Sequence, residues 1–297
     1  MIEAEGIRKR FGSHQVLKGV SFRVEDGQIV ALMGANGAGK STLFDILATI
    51  DPHFEGKAEV GGFDVRSRPR DARAHIGYVP GRFSLYSDLS VMENLEFFAS
   101  AYGCRAADIE ALSPFLWKSL EAFARFRADT LSGGMKQKLA ICCALVHNPS
   151  VLLLDEPTVG VDPVSRYDMW KEIGALRDKG VSVLVSTHYL DEAGLADRIL
   201  FLHEGEVLLS DSPERIIQSY PHRLFSLPCS PAELPQFEAA LSAEPGVLDH
   251  YLWGDSLHFT ADAGYAGTPL CGRMPTPVEP GIEDIFIDTL SGRRKGL

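Results

Sequence analysis

The chain has 297 residues, of which 45% are hydrophobic and 23% charged, and its formal net charge is −11. That is enough apolar material for one large domain, or one domain and an appendage, and it excludes a disordered chain. The acidic balance excludes a broad surface that grips a nucleic-acid backbone, which needs clustered Lys and Arg, so no nucleic-acid partner is expected.

The opening MIEAEGIRKRFG has no apolar core of a signal peptide, so none is expected. From Gln28 to Met33 runs a short apolar strand, IVALM, ending at a glycine. A helical pattern follows with Leu43, Phe44, Ile46 and Leu47. Ile76–Val79 is another short apolar run, and 81–88 reads as a loop. Val91–Ala101 predicts an amphipathic helix, opened by Ser90 with Glu93 three residues on, a capping box. The stretch 106–126 reads as helical and polar, placing a surface helical subdomain at about 82–134. LSGGMKQKLAICCALVHNP, from Leu131, reads as a loop and then a helix stopped by Pro149. Val151–Leu154 and Val181–Val185 are continuous apolar runs typical of parallel strands buried on both faces. The alternation predicts an α/β fold with a mostly parallel sheet over 1–220.

Near Tyr220-Pro221 the character changes, and 221–297 reads as a small α+β appendage. Ser230-Pro231 predicts a helix start running to about Ala243. Strands around Val247–Trp253 and Ser256–Thr260 flank a Gly254-Asp255 turn, as in a β-hairpin. A last helix is expected over 282–290, with GRRKGL fraying beyond it. The cysteines (Cys104, Cys142, Cys143, Cys229 and Cys271) are odd in number, irregularly spaced and without a CxxC pair, which reads as reduced cytosolic thiols. No stretch approaches the roughly 18 apolar residues that span a bilayer, so a membrane role must pass through a partner.

Two motifs carry chemistry. Gly34-Ala35-Asn36-Gly37-Ala38-Gly39-Lys40-Ser41 fits GxxxxGK[ST], between a predicted strand and a predicted helix. Glycines let successive N–H groups point at phosphate oxygens, and the helix N-terminus adds its dipole. Lys40 is expected to reach the β- and γ-phosphates of ATP, and Ser41 to place its hydroxyl on Mg²⁺ with Thr42 in support. The strand Val151–Leu154 ends in Asp155-Glu156. Asp155 is placed to hold Mg²⁺ through water, and Glu156 to orient or deprotonate the attacking water.

Leu131-Ser132-Gly133-Gly134-Met135 resembles the signature motif of ABC (ATP-binding cassette) ATPases, usually LSGGQ. With the phosphate loop, Asp155-Glu156 and a later Ser-Thr-His, it resembles that superfamily over roughly 1–220. The resemblance implies head-to-tail pairing with a second nucleotide-binding domain, in which Leu131–Met135 of one subunit cap the ATP of the other through Ser132 and the N–H groups of Gly133 and Gly134. It also implies that Phe11 stacks on adenine, that Asp162 in TVGVDP is the D-loop residue at the interface, and that His188 meets the γ-phosphate. One position departs from the pattern: Gly81 stands where the family has a glutamine that meets Mg²⁺. Either water replaces that amide and turnover slows, or the site is partly degenerate and pairs with a complete one.

RFSLYSDLSVMENLEFFA, SGGMKQKL and EPGIEDIFIDTL resemble the ABC-2 exporters, a group that includes multidrug efflux ATPases. That implies a separate integral-membrane permease, met by the loop carrying Phe83, Leu85 and Tyr86, and a peripheral place on the inner face of the cell membrane. The rivals are a soluble ABC ATPase of translation, which usually carries two cassettes, and a DNA-repair ATPase, which separates the two motifs by a long coiled coil. A purely regulatory nucleotide binder rests only on Gly81.

Overall fold

The structure, a computed structural model, describes residues 1–82 and 84–294. Phe83 and the end of the tail expected to fray lie outside the described residues. Two compact units follow one another along the chain, Met1–Ser212 and Pro213–Leu297.

In the first unit β1 (Ile2–Phe11), β2 (His14–Val24), β4 (Glu55–Val60) and β5 (Phe63–Asp64) form an antiparallel sheet in the order β2-β1-β4-β5. Ile2, Ala4 and Ile7 of β1 are buried, but the alternation breaks because the register shifts between Ala4 and Ile7. A bulge of this kind hides a strand from period-2 reading.

β3 (Ile29–Met33), β6 (Ile76–Val79), β7 (Val151–Leu154), β8 (Ser182–Thr187), β9 (Arg198–His203) and β10 (Glu206–Asp211) form a second sheet in the order β10-β9-β3-β8-β7-β6. All its neighbours are parallel except β9 and β10. Every residue of β3, β7 and β8 is buried. A side chain such as Leu32 or Leu184, fully out of water, contributes about 1.5–3 kcal/mol. These strands therefore fix the height at which their C-terminal ends emerge, and the chemistry-bearing residues follow directly after those ends.

The helices of this unit are α1 (Lys40–Leu47), α2 (Pro69–Ala74), α3 (Val91–Tyr102), α4 (Ile109–Leu112), α5 (Pro114–Leu120), α6 (Gly133–Leu145), α7 (Pro163–Asp178) and α8 (Leu190–Ala193). Both bonds of the predicted capping box on α3 form, Glu93 N to Ser90 Oγ at 3.2 Å and Ser90 N to Glu93 Oε2 at 2.7 Å. The expected helix over 106–126 is instead broken into α4, α5 and short 3-10 turns. Pro114 opens α5 and pushes Ser113 out of helical geometry. Nor is that stretch a wholly polar surface, since Ile109, Leu116, Trp117 and Leu120 are buried. α6 ends at Leu145, before Pro149, in a turn closed by Asn148 N to Leu145 O at 2.8 Å, with Asn148 at φ 54.

The second unit comprises α9 (Pro213–Gln218), β11 (Arg223–Pro228), α10 (Leu234–Ala243), β12 (Val247–Trp253), β13 (Ser256–Ala261), β14 (Thr276–Val278) and α11 (Ile282–Arg294). Its sheet is antiparallel, β12-β13-β11-β14, and the predicted hairpin closes with Trp253 opposite Ser256. α10 starts at Leu234, later than expected, because Ser230 and Glu233 form a separate polar turn (Ser230 Oγ to Glu233 Oε2, 2.7 Å) and Pro235 then sets the first helical turn. α11 continues to Arg294, past the expected end. Phe225, Phe237 and Phe259 centre a separate small core. All five cysteines are free. Burial pushes the thiols of Cys142 and Cys143 up, which keeps them protonated.

Candidate active site at the phosphate loop

Between β3 and α1 the chain wraps a tight loop, Gly34–Gly39, and Lys40, Ser41 and Thr42 open the helix. Gly39 caps α1 from the left-handed region, φ 107, and no side chain caps that helix. A Cβ at Gly39 would lie 2.7 Å from Leu17 Cδ2 and 3.1 Å from Val16 O, so a strand of the antiparallel sheet presses on the loop and only glycine fits. Ala38 N donates to Ala35 O at 3.1 Å and closes the turn. His14, Val16, Asn36, Gly37, Gly39, Lys40, Ser41, Thr42 and Glu156 line one cleft of about 300 Å³.

Lys40 is only 5% exposed. Its Nζ donates to Gly34 O at 2.7 Å and Ala35 O at 3.3 Å, and lies 3.4 Å from Glu156 Oε1. The same Oε1 lies 2.6 Å from His188 Nε2. Lys40 at the start of α1, Glu156 just after β7 and His188 just after β8 thus converge at the mouth of the loop.

Glu156 holds a left-handed backbone, φ 53, rare for a residue with a Cβ. Its N–H donates to Ser186 Oγ at 2.8 Å, and that hydroxyl in turn donates to Asp155 Oδ1 at 2.6 Å. One buried serine therefore fixes both acids. Ser186 opens the Ser-Thr-His run, yet sequence reasoning gave it no part, because a hydroxyl facing inward from a buried strand carries no pattern of its own. Asp155 is buried at 4% exposure. Its Oδ2 lies 3.5 Å from the Cβ position of Gly81. Gly81 is not forced by its backbone, since its φ lies outside the left-handed range. Asp45 on α1 was also missed. Its carboxyl is raised above the ordinary range by burial, then by the charges of Asp155 and Asp51, against a hydrogen bond from Tyr78.

The other predicted residues stand apart from this cluster. Phe11 ends β1 with its ring 54% exposed, outside the cleft lining, and the Lys9 ammonium lies 4.8 Å from the ring centre. Leu131 is buried, and Ser132 caps α6 by accepting from Met135 N at 3.3 Å. Gly133 approaches Gly160 O, and a Cβ on Gly134 would meet Ser165 Oγ at 3.1 Å, so α6 packs closely on α7 there. Asp162 caps α7 by accepting from Ser165 N at 3.0 Å, and such bonds hold its carboxyl below the usual range.

Residues 17–159 match the family model described as ABC transporter. The Nod factor export ATP-binding protein I of Rhizobium sp. (strain N33) is 35% identical over 303 residues, covering 98% of this chain and 97% of that protein. The chain belongs to the ABC transporter family. Among its relatives, the linearmycin resistance ATP-binding protein LnrL of Bacillus subtilis (strain 168) is 36% identical, over 70% of this chain and 68% of that one. The probable multidrug ABC transporter ATP-binding protein YbhF of Escherichia coli (strain K12) is 41% identical over 72% of this chain, and this chain spans only 37% of its length. Two solved structures share the ABC cassette fold. An ATP-binding subunit of an ABC transporter is 32% identical, with a TM-score of 0.67 over 73% of this chain and 92% of that one. A dimeric bacterial ABC transporter cassette is 28% identical, with a TM-score of 0.66 over 71% of this chain and 98% of that one. Among the described residues no helix is long and apolar enough to cross a membrane.

Proposed function

We propose that this chain is the ATP-hydrolysing motor of an ABC exporter, closing on a second nucleotide-binding domain and driving a separate membrane permease from the inner face of the membrane. The observation that carries the reading is the convergence of Lys40, Glu156 and His188 on an uncapped helix N-terminus. An anion is favoured there by the free N–H groups and the helix dipole. The phosphates of ATP compete for Lys40 against Gly34 O and Glu156. Once Lys40 turns to them, Glu156 is left to orient the attacking water and accept its proton, and His188 is left to meet the γ-phosphate. Asp155 and Ser41 offer only oxygen donors, a set that suits Mg²⁺. Held by these two residues, Mg²⁺ would supply neutralisation of charge on the transferred phosphoryl group. The exposed ring of Phe11 takes the adenine. Ser132 and Asp162 cap their own helices and Gly133 and Gly134 seat α6 against Gly160 and α7, and with Met135 they form the edge assigned to the other subunit's ATP.

We assign the permease contact to a groove of about 220 Å³ whose lining includes Tyr78, Leu85, Phe98, Tyr102 and His147. His147 stacks on Tyr102 at 3.8 Å, and burial holds the imidazole below its usual pKa. The appendage after Ser212 is a packed structural module.

The test is Mg²⁺-dependent ATP hydrolysis by the full chain. Glu156→Gln is expected to lose at least about a hundredfold in kcat while retaining ATP. A parental rate in that variant removes Glu156 from the mechanism. A partly degenerate, regulatory subunit is the second reading, favoured by Gly81 alone. A Gly81→Gln side chain starts 3.2 Å from Asp155 O, a tight fit, and 3.5 Å from Asp155 Oδ2. It raises the rate if water now stands in for the amide, and an unchanged rate favours the regulatory reading.

A further inference from the structure

Glu192, on α8, is a buried carboxylate at 3% exposure. Its Oε2 accepts from the hydroxyl of Thr158 at 2.9 Å and from that of Thr187 at 2.5 Å. Thr158 follows Glu156 by two residues, and Thr187 directly precedes His188. The other oxygen, Oε1, faces Arg166 Nη1 at 3.6 Å. Both of these atoms are buried, and neither has a hydrogen-bond partner among the described residues. Arg166 lies one turn into α7, its N–H bonded to Asp162 O at 2.9 Å, and its guanidinium carbon sits 4.3 Å from the centre of the Tyr189 ring.

A single carboxylate therefore touches the neighbours of Glu156 and His188 on one side and the helix capped by Asp162 on the other. Buried polar atoms are almost always bonded, so two orphans facing each other call for a reason. Charge-assisted N–H···O bonds are about 2.7–2.9 Å long. The Arg166–Glu192 contact is thus an ion pair short of a hydrogen bond, and a shift of α7 by less than roughly 1 Å closes it.

We propose that Glu192 is a positioning residue that couples the N-terminus of α7 to Glu156 and His188. When a second subunit engages Asp162, α7 moves, Arg166 closes on Glu192, and the loaded carboxylate draws Thr158 and Thr187 into place. Hydrolysis thereby waits for the partner, although neither Glu192 nor Arg166 touches nucleotide. This rests on the ATPase reading above.

The experiment compares Glu192→Gln, Arg166→Gln, the double variant and Arg166→Lys with the parent and with Glu156→Gln, all as full chains, by steady-state MgATP hydrolysis, ATP binding and thermal melting. Each Gln variant is expected to lower kcat about tenfold with KM for ATP within about twofold of the parent. The double variant falls no further than the worse single one, because the two residues act as a pair. Arg166→Lys keeps the charge and recovers part of the rate, and it carries the test if Arg166→Gln melts early. Parental kcat in folded variants, or losses that multiply in the double variant, overturn the inference and leave the ATPase reading standing. Loss of ATP binding in step with loss of folded protein also overturns it, since that marks a merely structural staple. A parent no faster than Glu156→Gln overturns the ATPase reading itself, and the inference with it.

Discussion

Two helices of the first unit present their N-termini to anions in the proposed mechanism, and they are built in opposite ways. α1 begins at a left-handed glycine and has no side-chain cap. α6 begins at Ser132 in an extended conformation, and the serine hydroxyl accepts from Met135 N. The first N-terminus has little to give up when phosphate arrives, because its backbone donors are not claimed by a cap. The second ties one donor, Met135 N–H, to the serine, which still has its own O–H to give. A site that binds within its own chain can stay open, ringed by Lys40 and the acids that balance it. A site that serves another chain spends most of its time facing water and is safer self-satisfied.

The largest test of this contrast separates the two ends by mixing. Lys40→Ala and Ser132→Ala are each expected to abolish hydrolysis, the first by removing the phosphate-facing charge and the second by removing the hydroxyl assigned to the other subunit's ATP. Combined in one preparation, they restore about a quarter of the parental rate, since random pairing gives half mixed dimers with one complete site each. No recovery in dimers that demonstrably exchange refutes the trans assignment of α6.

A second comparison places the same substitution at both ends. Gly39→Ala sets a Cβ 2.7 Å from Leu17 at φ 107, and is expected to cost about 2–4 kcal/mol and to spoil the loop. Gly134→Ala meets only the side chains of Ser165 and Val161, at 3.1 Å and beyond, and is expected to cost about 1 kcal/mol. Thermal melts of the two variants check the order, and equal losses would remove the steric half of the argument.

The smallest effect concerns Asp45, an acid near the α1 site. Because its folded pKa is raised, its contribution is full at low pH and is lost as pH rises through the shifted value. Asp45→Asn removes that loss. Its melting temperature is expected to exceed the parent's by a few degrees at pH 7, with the gap shrinking as pH falls through the carboxylate range. A gap that widens on acidification reverses the sign and sinks the account.

Much of this site was legible in the sequence because its signals are local. The loop and helix start at 34–42, the acids after Leu154 and the histidine after Thr187 each sit where a buried strand ends, and apolar runs announce such strands. What stayed hidden depends on contacts across the fold. Ser186, Asp45, Arg166 and Glu192 acquire meaning only when β8, α1, α7 and α8 are brought together. The antiparallel strands were hidden by a register shift near Gly6, and the broken helices near Pro114 by a run of residues that individually favour helix. The hairpin at Gly254 was readable because its turn chemistry is confined to neighbouring residues.

The backbone of Glu156 has a consequence for how variants at that position must be interpreted. At φ 53 any residue with a Cβ is held at a conformational cost of about 1–2 kcal/mol. Glutamine carries the same cost and isolates the chemistry. Glycine relieves it but also deletes the carboxylate facing the buried Lys40 ammonium and His188, so a Glu156→Gly chain is expected to be inactive and to melt below its parent. The strained backbone is therefore held by the same ion contacts that the proposed chemistry uses, and a variant that loses them reports on folding and on turnover at once.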